Sequence, residues 1–274
     1  MCLGSNTGTS LRHQTVTPAY NRIVAQSVCS VCSGTGWVIS EINELSGATR
    51  CHCATEERVS NLQERAQIPP LYAKASIENF VLPRDNPIAS RELADVLMMV
   101  RAFQRTYPDP KTPGLLLMGD PGTGKTHLAV AALRALMAKG YEGLFFDFQT
   151  LLDRIRSGYS KESGISDKEA YRVALDAEVL LIDDLGAHRV TDWVEDTVTA
   201  IVTHRCNHRK TLIATTNLTD AERPTPGSGG AKMDYRVSLT DRIGPRARSR
   251  LFEMCRVVRM PLVEDYRLRK AASS

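Results

Sequence analysis

The sequence predicts an α/β protein built on a parallel sheet that helices flank on both faces. After Pro113-Gly114, short apolar runs alternate with stretches of helical periodicity. Strands of this length that alternate with helices form parallel sheets covered on both sides. Functional residues gather where such strands end. The predicted strands are Leu115 to Met118, Leu144 to Phe148, Val179 to Asp183, Leu212 to Thr216 and Val257 to Met260.

The composition is that of a globular protein. Of the 274 residues, 42% are hydrophobic and 24% are charged, which argues against a wholly disordered, fibrous or coiled-coil chain. No apolar run approaches the roughly 18 residues of a membrane-spanning helix, so we expect no membrane partner. Residues 1–10 lack the basic and apolar stretches of a secretory signal, and we expect a cytoplasmic protein.

The chain divides into three predicted parts: a cysteine-bearing module over 1–55, a connector with N-terminal helices over 56–112, and the strand-forming domain over 113–274. A polar helix over 54–67 ends before Pro69-Pro70, because proline cannot continue a helix. A second helix over 90–107 begins at Ser90, a good cap, and has one apolar face. That face comprises Leu93, Val96, Leu97, Val100 and Phe103.

Four of the seven cysteines fall within 25 residues, namely Cys29, Cys32, Cys51 and Cys53. In a reducing compartment this crowding indicates a metal site, and four thiolates suit tetrahedral zinc. The second pair is C-x-C instead of C-x-x-C, so His52 is an alternative ligand. A redox pair at Cys29 and Cys32, or four unliganded thiols, are the other interpretations.

The cysteine module is too small to fold on its apolar residues alone. Residues 37–40 have the pattern of a strand, and Ser46-Gly47 is predicted as the turn of a hairpin that brings Cys51 back. Structural zinc contributes about 10–16 kcal/mol to folding. We therefore expect zinc to fold this zinc-ribbon-like module.

A glycine-rich segment after the first predicted strand has the pattern G-x-x-x-x-G-K-[ST] and begins a helix. Its glycines let successive backbone amides face phosphate oxygens, and the helix N-terminus adds partial positive charge. We expect Lys125 to reach the β- and γ-phosphates of ATP and Thr126 to bind Mg²⁺. The predicted phosphate-binding residues are Gly119, Pro121, Gly122, Thr123, Gly124, Lys125, Thr126 and His127.

Two adjacent carboxylates, Asp183 and Asp184, end a predicted buried strand. A phosphate loop needs a carboxylate on the metal side, and Asp183 is the residue expected to hold Mg²⁺. Asp184 then occupies the position of a base that orients the attacking water; a strand-end cap is the alternative. Catalysis is favoured because adjacent carboxylates are costly unless a cation offsets them.

Asn217 and an arginine-rich stretch over 241–250 are further candidates. Asn217 ends the next strand and can face the γ-phosphate, although asparagine is also a common turn former there. Arg246 and Arg250 are four residues apart and share a helical face, and a planar guanidinium suits charge on a transferred phosphoryl group. A solvated basic helix is the alternative.

A second basic segment lies between residues 154 and 172, where basic and aromatic side chains are interleaved. Such interleaving can contact the phosphates and stack the bases of single-stranded DNA, and a solvated helix pair fits the composition equally well. The residues are Arg154, Arg156, Tyr159, Lys161, Lys168, Tyr171 and Arg172.

Roughly residues 65–265 resemble the AAA+ ATPases, specifically the DnaC/DnaI-type replicative helicase loaders and the related IstB transposition helpers. The resemblance rests on Gly122 to Ala129, Ile182 to Ala187, Thr191 to Val194 and Ala214 to Leu218, with Ile68 to Tyr72 and Ile77 to Phe80 upstream.

The resemblance implies that Asn217 senses the γ-phosphate and that Arg246 is an arginine finger reaching the neighbouring subunit, with Arg250 its close competitor. A finger contributes about 10³–10⁵ in rate, so hydrolysis should depend on self-association. Two features depart from the larger AAA+ pattern. Asp184 stands where most members have Glu, and only 24 residues follow Arg250, so we expect no C-terminal lid.

The function implied is that of an ATP-dependent replicative helicase loader that assembles with ATP, binds single-stranded DNA and grips a hexameric helicase through the zinc module. The alternative is an IstB-like ATPase helper of a transposase. A third class is a scaffold that binds ATP and hardly hydrolyses it, which Asp184 leaves open.

Overall fold

The computed structural model divides into two compact units, Met1–Ala54 and Thr55–Ser274. The structure describes residues 29–33, 35, 37–42, 45–157, 167–220 and 237–266. Over these residues, every helix is too short or too polar to cross a membrane.

The first unit contains an antiparallel hairpin of β1 (Trp37–Ile42) and β2 (Leu45–Arg50). Helix α1 (His52–Arg65) follows β2 directly. The predicted turn at Ser46-Gly47 is wrong, because both residues lie inside β2 and Gly47 pairs with Ser40. Longer strands allow more backbone amides to find carbonyl partners.

The second unit is built on five parallel strands, which confirms the predicted sheet. The strands are β3 (Gly114–Met118), β4 (Gly143–Asp147), β5 (Val179–Asp183), β6 (Thr211–Thr216) and β7 (Cys255–Arg259). Their spatial order is β4-β5-β6-β3-β7, so β3 and β5 both neighbour β6. The residues that follow β3, β5 and β6 therefore meet at one edge of the sheet.

The three central strands β3, β5 and β6 are buried along their whole length, as a doubly covered sheet requires. In β3, Leu115 and Leu117 pack into one core with α2 (Pro87–Thr106) and α3 (Lys125–Ala138). Leu116 and Met118 face the opposite core. The helices that contribute to this opposite core are α4 (Phe148–Ser157), α5 (Asp167–Asp176), α6 (Asp192–Asn207) and α7 (Leu239–Met254).

Helix α2 begins earlier than the sequence predicts. Asn86, not Ser90, is its N-cap: the Asn86 side chain accepts a 3.0 Å hydrogen bond from the Ala89 amide, and Pro87 occupies the first turn. Proline is favoured there because its missing amide has no helical partner at that position. All five residues of the predicted apolar face are buried.

Helix α7 is interrupted by Gly244, which has a φ of 79° and a ψ of 156°. The following residue is Pro245, which cannot donate a helical hydrogen bond. A Cβ at position 244 would lie 2.2 Å from a carboxylate oxygen of Glu195 on α6. The helical segment that carries Arg246 and Arg250 therefore starts anew after this kink.

Arg205 on α6 is fully buried, which no sequence pattern predicted. Its guanidinium donates hydrogen bonds to the carbonyls of Ala174, Leu175, Glu178 and Thr211. Burial lowers the pKa of Arg205 to about 10, so the group stays charged at neutral pH. The side chain thereby ties the end of α5 to the start of β6.

Candidate functional site

The loop between β3 and α3 is shaped by three glycines in positive-φ conformations. Gly119, Gly122 and Gly124 have φ values of 149°, 76° and 92°. A Cβ would lie 2.1 Å from the Asp265 carboxyl carbon at position 122 and 2.5 Å from the Phe80 ring at position 124. Only glycine fits both the backbone and the space, and the curled backbone has the form that presents amides to phosphate oxygens.

Lys125 begins α3 and is almost completely buried, with 4% of its surface exposed. Its Nζ donates a 2.7 Å hydrogen bond to the Asp120 carbonyl, and the Thr123 hydroxyl donates to the same carbonyl at 2.9 Å. The ammonium therefore lies within the concave loop, where a point charge can meet a phosphate.

Asp183 ends β5 beside the loop and is 9% exposed. It accepts a 2.6 Å hydrogen bond from the Thr215 hydroxyl on β6. Burial raises the pKa of Asp183, and the charge of Asp184 acts in the same direction, while hydrogen bonds from Thr215 and Thr126 oppose the rise. Thr126 thus has its hydroxyl beside the Asp183 carboxylate, and this pair of oxygen donors fits Mg²⁺.

Asp184 has a left-handed backbone with a φ of 54°. Aspartate tolerates this conformation better than most residues. The Asp184 amide donates to the Thr215 hydroxyl at 2.9 Å, and the Asn217 side-chain amide donates to the Asp184 carboxylate at 2.9 Å. Asn217 therefore holds the second carboxylate, and both residues line the same cleft as the phosphate loop.

That cleft has a volume of about 680 Å³ and is lined by both polar and apolar residues. The polar lining comprises the phosphate loop, Asp184 and Asn217. The apolar lining, here called the apolar wall, comprises Leu71, Tyr72, Phe80, Val81, Leu93 and Val263. A nucleotide needs polar groups for its triphosphate and apolar groups for its planar base, so the cleft fits a nucleotide.

The apolar wall comes from segments to which sequence reasoning assigned no binding role. His127 Nε2 lies 2.8 Å from the Ser76 carbonyl, and its ring packs edge-on against Phe80 at 5.6 Å. At the other end of the chain, the Tyr266 amide donates to the Gly122 carbonyl at 3.2 Å. His127 thus anchors the wall to α3. The family resemblance of residues 68–72 and 77–80 pointed to two of these segments but not to their place in the cleft.

The two predicted arginines do not line the cleft. Arg246 is exposed and forms no ion pair with the residues that the structure describes. Arg250 is 45% exposed in its side chain and pairs with Glu253 at 2.7 Å. Both lie on the outward face of α7, after the kink.

The predicted DNA-binding segment is described in part. The Arg154 guanidinium lies 5.5 Å from the centre of the Phe146 ring, and that of Arg156 lies 4.7 Å from the Trp193 ring. Tyr171 is half-buried against the core, so it is less free to stack on a base than its sequence suggests. Arg172 is exposed and lies 3.7 Å from Asp176. Tyr159, Lys161 and the Lys168 side chain lie outside the described residues.

The four cysteines of the first unit form one cluster, with all sulfurs within 4.8 Å of one another. The Sγ atoms of Cys29 and Cys51 are 3.8 Å apart, and those of Cys32 and Cys53 are 3.3 Å apart. A tetrahedral zinc with bonds of about 2.3 Å needs sulfurs about 3.8 Å apart. Hydrogen bonds from the Cys32 and Val31 amides lower the pKa of Cys29, whereas the hydrogen bond with Cys32 and burial raise the pKa of Cys53.

Comparison with known proteins bears on the second unit. Residues 58–233 match the family of IstB-like ATP binding proteins. The phage-like element PBSX protein XkdC of Bacillus subtilis is 24% identical over 83% of this chain and 79% of its own length. The replicative helicase loader DnaC of Escherichia coli K12 is 24% identical over 65% of this chain and 71% of its own. A crystal structure of the DnaC helicase loader superposes with a TM-score of 0.55 and 29% identity, covering 70% of this chain and all of that one.

Because Asp183 is buried, its ionisation should lower the stability of the fold. Because its pKa is raised above the ordinary 3.8, the ionised carboxylate destabilises the fold, and this cost grows as the pH rises from about 4 through the folded-state pKa. We expect Asp183→Asn to raise the melting temperature by a few degrees at pH 7 without nucleotide, and by less near pH 4. Calorimetry across this pH range measures both.

The matched control is Asp109→Asn. A hydrogen bond from the Lys111 amide, and one from the Thr112 hydroxyl, lower the pKa of Asp109, so its charge stabilises the fold above its ordinary pKa. This substitution should lower the melting temperature at pH 7. A lower melting temperature for Asp183→Asn at the same pH would contradict the prediction.

Proposed function

Because the chain belongs to the family of IstB-like ATP binding proteins, we propose that it is an ATP-switched loader of a replicative DNA helicase. It is an AAA+ ATPase of the DnaC and IstB type, and it uses ATP with Mg²⁺. ATP-dependent assembly is supported by the separation within one chain between the phosphate site and the exposed arginines of α7, and the separate cysteine-bearing unit favours a loader. Such a chain needs a neighbour to complete its catalytic site.

Each residue of the cleft has its own role in ATP binding and hydrolysis. Lys125 and the loop amides hold the β- and γ-phosphates, and Thr126 and Asp183 hold Mg²⁺. When bound there, Mg²⁺ would supply positive charge next to the transferred phosphoryl group. Asp184 orients the attacking water and accepts its proton, and Asn217 keeps the Asp184 carboxylate in place through its 2.9 Å hydrogen bond.

Arg246 acts as the arginine finger of a neighbouring subunit's site, with Arg250 as the alternative. An exposed guanidinium that has no ion-pair partner within the described part of its own chain is available to another molecule's phosphates, and this favours Arg246. Arg250 keeps its ion pair with Glu253 and must exchange it on assembly. ATP therefore joins protomers, and hydrolysis separates them.

The cysteine cluster holds one structural zinc and serves as the helicase-binding module. Its four sulfurs lie within 4.8 Å of one another, which is close enough for all four to bind one tetrahedral zinc after small adjustments, so His52 is not required as a ligand. A loader must recognise a protein partner as well as DNA, and this separate unit is suited to that task.

The face around α4 and α5 binds single-stranded DNA. Arg156 and Arg172 supply the charge for phosphate contacts, and Trp193 beneath Arg156 supplies an aromatic plane next to it. In an assembled ring or spiral, this face lines the channel.

An ATPase helper of a transposase is the second candidate, because the matching family is named for IstB. The same ATP site and the same arginines would serve it. The two functions differ in the partner that the first unit binds, so a partner-binding experiment separates them.

The requirement for a neighbouring arginine is tested by mixing two inactive proteins. Lys125→Ala removes the ammonium of its own site but keeps its arginines, whereas the double variant Arg246→Ala/Arg250→Ala keeps the site. Each alone should lose about 10³-fold in ATP turnover, and the mixture should recover part of it. Mixing Lys125→Ala with Asp183→Asn is the control, since neither protein has a working site. Equal inactivity of both mixtures would contradict arginines acting in trans.

The variant Cys51→Ser, made in the full chain, tests both zinc binding and partner binding. Elemental analysis should find one zinc per chain in the unsubstituted protein and less than one in the variant. Because the phosphate site lies in the other unit, ATP binding should persist while co-elution with a hexameric replicative helicase is lost. Undiminished helicase binding by the variant would contradict this role, and binding of a transposase instead would favour the second candidate.

DNA binding is tested by its salt dependence. Arg156→Ala/Arg172→Ala removes two predicted phosphate contacts, so the slope of log affinity against log salt for single-stranded DNA should become shallower by about 1.4. Arg101→Ala/Arg105→Ala on α2 removes the same charge from another face and should leave the slope unchanged. An unchanged slope for the first pair would exclude this face from the DNA interface.

A further inference from the structure

Asp220 occupies a junction at the edge of the sheet. It lies four residues after β6 and is only 10% exposed in its side chain. Its carboxylate accepts two hydrogen bonds from Arg248 on α7, one from Nε at 2.7 Å and one from Nη2 at 2.8 Å. Arg259, the last residue of β7, places its Nη2 4.0 Å from the same carboxylate. Three elements of the second unit thus converge on one side chain.

The turn that contains Asp220 also contacts the catalytic carboxylates. At its first residue, Asn217 donates to Asp184 at 2.9 Å. At its third, the Thr219 carbonyl accepts from the Leu239 amide at 2.9 Å, where α7 begins. The four residues 217–220 therefore connect the γ-phosphate end of the cleft to both the start and the middle of α7.

The buried residues Ala247 and Leu251 pack the end of α7 on the core, and the pair of Arg248 with Asp220 adds a second contact on the inner side of this segment. Successive helical residues are rotated by about 100°, so residue 248 lies on the side opposite to 246 and 250. Fixing Arg248 inward on Asp220 directs Arg246 and Arg250 outward. The kink at Gly244 interrupts the helix just before this segment, so the preceding turn does not set its orientation.

We propose that Asp220 and Arg248 are a positioning pair that links the Asn217 contact with Asp184 to the direction of Arg246 and Arg250. This inference rests on the proposed action of those arginines on a neighbouring subunit. Neither residue touches nucleotide; each acts through the helix. A bidentate, charge-assisted pair is suited to this because it fixes an angle as well as a distance.

The experiment uses Asp220→Asn, which removes the charge but keeps the shape. A misplacement of about 1 Å costs about 10²-fold in rate, so the assembled variant should lose between tenfold and a hundredfold in ATP turnover while its ATP affinity is unchanged. Arg248→Lys keeps the charge, loses the paired geometry, and should show the same loss. Asp109→Asn is the control, since it removes a carboxylate 4.0 Å from Arg256 of the same sheet and should leave turnover unchanged.

Two mixtures distinguish a positioning role from a damaged site. With Lys125→Ala, whose arginines are correctly placed, Asp220→Asn should regain turnover because its own site is intact. With Arg246→Ala/Arg250→Ala it should not, because one protein lacks the arginines and the other holds them in the wrong position.

Recovery in the second mixture, or none in the first, would overturn the positioning role. If Lys125→Ala and Arg246→Ala/Arg250→Ala also fail to complement each other, the proposed action in trans has failed. If those two proteins complement each other while the Asp220→Asn mixtures give either of the contrary results, the positioning role alone is wrong.

Discussion

Two adjacent carboxylates at the end of a buried strand are the constraint on which the second unit depends. Asp183 is buried deeply enough that its pKa is raised, and its neighbour Asp184 adds like charge. The surrounding residues compensate for this: Thr215 contacts both residues, and Asn217 holds the second. In the protein alone, the two adjacent negative charges do not stabilise the fold. They become favourable once Mg²⁺ and a triphosphate occupy the cleft.

The same cleft depends on distant parts of the chain. Its phosphate-binding part is made by one loop, but its apolar wall needs residues near 71–81 and the segment that follows β7. The side chains of Asp265 and Phe80 fill the spaces beside Gly122 and Gly124. A larger residue at position 122 would therefore clash with Asp265, and one at position 124 would clash with Phe80. Nucleotide binding is therefore coupled to segments that lie outside the loop motif.

In the proposed function, the arginines of α7 make ATP hydrolysis depend on assembly. They do not line the cleft of their own chain, yet the turn after β6 joins their helix to the residue that holds Asp184. Fewer than ten residues therefore connect Asp184 to the exposed segment that carries Arg246 and Arg250. Because the kink at Gly244 interrupts α7, this segment can change its orientation independently of the start of the helix.

The parallel sheet, the phosphate loop and the acidic strand end could be predicted from the sequence, because they depend on local periodicity and on residues that are close in the chain. The clustering of the four cysteines could be predicted as well. Three-dimensional packing was needed to reveal the hairpin register, the Asn86 cap, the buried Arg205, the apolar wall of the cleft and the pairing of Asp220 with Arg248. Each of these features brings together groups whose distance in space is set by packing and by competition among hydrogen-bond partners. A linear sequence pattern does not show which of the competing hydrogen bonds will form.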